Sequence, residues 1–196
     1  MKTDLMEALS KSYTYKSYRK LVSTLLSDGK STGNVQSNDL LHYSELNDIR
    51  MNRLDKTISL TNETLESLKK NSRKQTWIVI SEGWCGDAAQ ILPIINKMAQ
   101  ANALVALKIV LRDENDSLMN HFLTNGSKAI PVLIILDDAT NDVKAHWGPR
   151  PDGAKQLIVD YKNKNGVVDE TAKIALQKWY LHDKGVSVQN EIRQLI

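Results

Sequence analysis

Cysteine is nearly absent: Cys85 is the single one in 196 residues. That excludes an internal disulfide and any zinc or iron–sulfur site built from several thiolates, and it suits a reducing compartment. Long apolar runs are also missing, so nothing approaches a membrane span, and the polar start Met1-Lys2-Thr3-Asp4 does not read as a secretory leader. The expectation is a cytoplasmic protein with no membrane partner. An excess of one charge is lacking as well. The net charge is +3, and residues 1–75 carry 13 Lys and Arg against 9 Asp and Glu, interleaved as on solvated helix faces. No basic stripe with stacking aromatics accompanies them, so nucleic acid is not an expected partner. His42, His121 and His182 lie far apart without paired ligand spacing, and His146 reads as an exposed strand residue, so neither a metal nor another cofactor is expected. Gly29-Lys30-Ser31-Thr32 resembles the end of a phosphate-binding loop, but Thr24 stands where that motif needs glycine.

What the chain does have is enough apolar residue, 41%, to bury a full core. Tyr18, Leu21, Val22 and Leu25 keep helical spacing, as do Leu46, Ile49, Leu54 and Ile58, and then Leu65 and Leu68. Residues 27–38 read as the loop joining the first two of these helices, with Ser37 or Asn38 as an N-cap and Thr61 or Asn62 capping the next. Residues 76–80 read as a central strand, 87–101 as a helix, 104–111 as a strand and 116–124 as a short helix. A hairpin of 132–136 and 143–147 follows, then helices near 152–162, 169–184 and 187–195.

Cys85 falls where the first strand turns into the helix, in Ile80-Ser81-Glu82-Gly83-Trp84-Cys85-Gly86-Asp87-Ala88. A helix start presents free N–H groups and the positive end of the macrodipole, and both favour thiolate. The Asp87 carboxylate two residues on acts the other way. Glu82 stands three residues before the thiol as a candidate proton acceptor.

Trp84-Cys85-Gly86-Asp87-Ala88 resembles the Trp-Cys-Gly-Pro-Cys active site of thioredoxins, and its Trp-Cys-Gly-Asp core is similar to that of some bacterial members. Pro93 stands where the family has its helix proline, Ile130-Pro131 resembles its cis-proline ahead of a strand, and Gly148 follows the hairpin. The resemblance implies an α/β thioredoxin-like fold, with a central mixed sheet flanked by helices. Residues 1–75 would then be a helical N-terminal extension packed on the core, and 76–196 the thioredoxin-like domain with extended C-terminal helices. It also implies a site made of Cys85 as nucleophile with Trp84, Gly86, Asp87, Ile130, Pro131, Trp147 and Gly148 around the substrate, Trp84 and Trp147 flanking an apolar groove.

Two departures stand at working positions. Ala88 occupies the place of the second cysteine, and Val79 the place of the family's buried carboxylate. Two functions follow as expectations. One is a monothiol oxidoreductase whose mixed disulfide with a protein or small-molecule partner is resolved by an external thiol. The other is a non-catalytic binding module with a vestigial cysteine. The oligomeric state is left open by either.

Overall fold

A computed structural model describes residues 1–196. Strand β1 (Gln75–Ser81) carries the β-branched and aromatic run that suits an extended segment covered on both faces, and residues 77–81 are all buried. It lies inside a four-stranded mixed sheet of order β2-β1-β3-β4. β2 (Val105–Leu111) runs parallel to it with Ile109 opposite Val79, and β3 (Val132–Asp137) runs antiparallel with Leu133 opposite Val79. β4 (Asp142–Trp147) pairs antiparallel with β3 through a register shift at Ile135/Leu136. It alternates exposed and half-buried residues, as expected of an edge strand.

Nine helices surround the sheet. The N-terminal four are α1 (Lys2–Ser10), α2 (Tyr15–Ser27), α3 (Asn38–Thr57) and α4 (Asn62–Lys70). Ser37 caps α3 by accepting from Leu40 N–H, and Thr61 caps α4 by accepting from Thr64 N–H. Helix α1 goes beyond the sequence expectation, so the loop 28–37 joins the second and third helices rather than the first two. Its signal was weak because it buries only Leu5 and Ala8, and alanine adds little to a hydrophobic pattern.

α5 (Gly86–Gln100) carries Pro93 inside it and crosses from β1 to its parallel neighbour β2. α6 (Asp116–Met119) is one turn long, shorter than the expected 116–124. The chain leaves it for a tight turn in which Thr124 bridges Ser127 across Asn125 and Gly126, both with positive φ. Asn-Gly is the pair best suited to that geometry, and here it overrides helical spacing. The C-terminal helices are α7 (Asp152–Asn165), α8 (Glu170–Asp183) and α9 (Val186–Ile192).

One core runs through the whole chain: Leu5, Tyr18, Val22 and Met51 belong to the same buried cluster as Trp77, Ile80 and Ile94. α3 packs along α5, α9 covers α5 further on, and α7 packs on α8. Tyr13 adds a short bridge outside β2, exchanging two 2.8 Å hydrogen bonds with Ile109. Helix α8 reaches the start of α5 through two side-chain hydrogen bonds, Gln90 to Gln177 and Tyr180 to Asp87, so α3 and α8 both border that end of the helix.

Candidate functional site

β1 ends at Ser81, and residues 82–84 turn the chain so that Cys85 becomes the N-cap of α5, its Sγ accepting from Ala88 N–H at 3.5 Å. Two residues from the N-terminal part of the chain hold this turn. Gly83 N–H donates to Thr32 Oγ1 at 2.8 Å, and Asn47 Nδ2 donates to Gly83 O at 2.9 Å, both polar partners being buried. Neither carried a sequence signal, because each depends on a contact across 51 or 36 residues. Glu82 is 1% exposed, accepts from Asp113 N–H through Oε1 at 3.0 Å and leaves Oε2 without a partner. Burial pushes its carboxyl pKa upward. Its bonded oxygen faces the Arg112–Glu114 turn after β2, so it serves as a tie between two loops.

Cys85 as a residue is 8% exposed. Sγ donates to Ile130 O at 3.3 Å while accepting from Ala88 N–H, a pairing that suits the protonated form, since a thiolate would face the carbonyl lone pairs. Burial first, and the Asp87 charge second, push its pKa up to about 12 against the opposing backbone N–H groups and Arg150. Desolvation therefore outweighs the helix N-terminus, which decides between the two opposing effects visible in the sequence.

Asp87, in the first turn of α5, is buried and doubly held. Arg150 Nε and Nη2 both lie 2.8 Å from its Oδ2, and Tyr180 OH donates to Oδ1 at 2.8 Å. Burial opposes the charge of Arg150, and the bond and charge of Asp87 overcome it, so the guanidinium pKa rises. Burial and then the Asp87 charge raise the Tyr180 phenol well above its ordinary value. The three side chains tie α5 to the segment after β4 and to α8.

The Ile130–Pro131 peptide is cis. Gly148 has φ +131°, and a Cβ there would lie 2.2 Å from Pro131 O, so the two loops meet backbone to backbone at a position only glycine fits. Trp84 is half-buried, with the Arg112 guanidinium carbon 4.7 Å from its ring centre. Trp147 turns away: its Nε1 donates to Glu191 Oε2 at 2.7 Å, against α9. His146 is exposed on β4 and meets the Phe122 ring edge-on at 5.4 Å.

A cavity of about 590 Å³ opens beside the thiol, between α3 and α8. Trp84, Cys85, Gly86 and Asp87 line it, whereas Ile130, Pro131, Trp147 and Gly148 do not. Of the two tryptophans expected to flank a groove, Trp84 borders this cavity together with α3 and α8, and Trp147 is hydrogen-bonded to Glu191 on α9 and does not line it. Its walls include Leu40 and Leu46 from α3 and Ile174 and Leu181 from α8. No group of three or more His, Cys, Asp or Glu side chains is placed to hold a metal ion, and no helix is long and apolar enough to cross a membrane.

A family model described as thioredoxin matches residues 33–165, a stretch that takes in α3 together with the thiol turn and the sheet. Among solved structures the fold is similar to that of a protein of unknown function from Pseudomonas aeruginosa, with a TM-score of 0.58 at 14% identity over 93% of this chain and 96% of that one. It is also similar to an HIV epitope scaffold, with a TM-score of 0.57 at 15% identity over 93% and 97% of the two chains. At such identities the likeness is one of fold. No curated protein matches the chain.

Proposed function

The chain belongs to the thioredoxin family, and from that premise we propose that it works as a binding protein on the thioredoxin scaffold, with Cys85 as a neutral thiol beside the ligand cavity. The observation that carries this reading is the state of the thiol. It is buried, hydrogen-bonded to Ile130 O and pushed up to a pKa of about 12, so at pH 7 the thiol stays protonated rather than forming the thiolate that attacks a disulfide. Ala88 in place of a second cysteine and Val79 in place of a buried acid support it further, since both leave the chain without an internal dithiol cycle.

One observation favours the monothiol reading instead: Cys85 lines the cavity, and Ala88 N–H points at its sulfur, so a ligand that remodelled the site could meet an oriented nucleophile. The rate of Cys85 alkylation by iodoacetamide as a function of pH separates the two, without interference from any other cysteine. A binding protein gives slow alkylation and no inflection below about pH 8.5. Fast alkylation with an apparent pKa well below that value overturns the proposal in favour of a monothiol oxidoreductase acting on a protein or small-molecule disulfide.

A further inference from the structure

Arg50 is a half-buried guanidinium without an acidic partner. It projects from α3 into the cavity, and the one bond its Nη1 makes is to the neutral Asn47 Oδ1 at 2.7 Å. Four cations line the cavity, Arg50, Arg150, Lys173 and Lys178, against two acids, Asp87 and Glu170. Both acids are already engaged, Asp87 with Arg150 at 2.8 Å and Glu170 with Lys173 at 3.2 Å. Arg50 and Lys178 are left uncompensated on opposite walls. Burial and the nearby Arg53 charge lower the Arg50 pKa, the direction expected of a cation lacking its counter-ion.

Two donors converge on one point, Gln177 Nε2 and the same Arg50 Nη1 that holds Asn47 Oδ1. A Cβ built on Gly86, the first residue of α5, would lie 3.4 Å from Gln177 Nε2 and 3.9 Å from Arg50 Nη1. Gln90 Nε2 donates to Gln177 Oε1 at 2.7 Å, which turns the Gln177 amide so that its donors face Gly86. Gly86 also opens a helix of 15 residues, whose N-terminal end favours negative charge. A neutral Cys85 next door adds no repulsion, and the one neighbouring carboxylate, Asp87, is already paired.

The rest of the cavity is apolar. Ile174 and Leu181 are each 51% exposed, and they share one face of α8 with Gln177 and Lys178, while Leu40, Tyr43 and Arg50 share a face of α3. Two large exposed aliphatic side chains on the α8 wall, with Leu40 and Leu46 on the α3 wall across the cleft, make a lining that suits an apolar ligand body. The volume of about 590 Å³ falls in the range of small-molecule pockets.

We infer that this cavity binds a small amphipathic anion, its carboxylate or similar head group on Arg50 and Gln177 at the start of α5 and its apolar body between α3 and α8. A neutral apolar ligand would desolvate Arg50 without replacing its missing anion, and a cationic one would meet uncompensated positive charge. The inference rests on the binding-protein reading and names the ligand class that reading leaves open.

Titration of the full chain with sodium decanoate and, separately, 1-decanol tests it, with calorimetry for affinity and amide chemical shifts for location. Decanoate is expected to bind at least tenfold more tightly than decanol and to shift the Gly86 amide and the Gln177 side-chain amide. Arg50→Gln should remove that preference and Arg50→Lys should keep most of it, both variants being checked for an unchanged melting temperature. Ile174→Asp, at a half-exposed position, should weaken both probes at least tenfold. Equal affinity for the two probes, an unaffected Arg50→Gln variant or no binding of either overturns the inference. Slow Cys85 alkylation in that case leaves the binding-protein reading in place with another ligand class. Fast alkylation with a low apparent pKa removes that reading whatever decanoate does.

Discussion

Arg150 grips Asp87 with two of its nitrogens, Nε and Nη2, both 2.8 Å from the same carboxylate oxygen. The pair joins the first turn of α5 to the segment after β4, and its carboxylate is the second cause, after burial, of the raised Cys85 pKa.

Asp87→Asn should therefore act on both stability and the thiol. It keeps an acceptor for Tyr180 but leaves Arg150 without its anion, at a cost of roughly 1–3 kcal/mol in urea unfolding. The same change removes a charge that disfavours the thiolate, so the midpoint of Cys85 alkylation against pH should move down. An unchanged midpoint would mean that burial alone sets it.

The raised thiol pKa also makes a statement about stability and pH. An unfolded cysteine ionises near pH 8.5 while the folded one is held neutral to about 12. The stabilisation associated with neutral Cys85 is thus complete below about pH 8.5 and is lost as pH rises through that value towards the folded pKa. The difference in unfolding free energy between wild type and Cys85→Ser should be flat from pH 6 to 8 and shift against wild type by about 1 kcal/mol between pH 8.5 and 9.5. A constant difference across that range would place the folded pKa near its ordinary value.

At Gly148 the obstacle is backbone. With φ at +131° and Pro131 O 2.2 Å from any added Cβ, Gly148→Ala must separate two loops and should destabilise by well over 1 kcal/mol. Gly166, at φ +78° with open space around it, is the comparison: alanine there meets backbone strain alone, roughly 1–2 kcal/mol. Thermal melts of the two variants should rank them in that order.

Thr32→Val removes the acceptor for the buried Gly83 N–H with little change of shape. An orphaned buried donor costs roughly 1–3 kcal/mol. Amide exchange at Gly83 should accelerate in this variant, and exchange at wild-type rate would show that Thr32 does not hold the turn.

Local chemistry was legible in the sequence. Thr76 to Ile80 specified a buried strand through β-branched side chains, Ser37 and Thr61 marked helix starts through their hydroxyls, and Cys85 announced itself by standing where a strand gives way to a helix. The order of strands and helices from β1 to β4 followed from the same short-range preferences. Each acts over a few residues, so each can be read along the chain. Helix α1 escaped because its buried face is two residues, and α6 ended early because Asn125-Gly126 makes its own turn.

Only the tertiary structure decided what the thiol is. The helix N-terminus and Asp87 pull its pKa in opposite directions within four residues of chain, and that contest is settled by burial beneath Ile130 O, 45 residues away. The cavity has the same origin: Arg50 and Gln177 converge on Gly86 from helices that no local pattern brings together. Desolvation and charge convergence are sums over whatever distant segments cover a point. Those sums come into existence once the chain has folded, which is why the sequence determined the scaffold and where the cysteine sits in it, and the packing determined its chemistry.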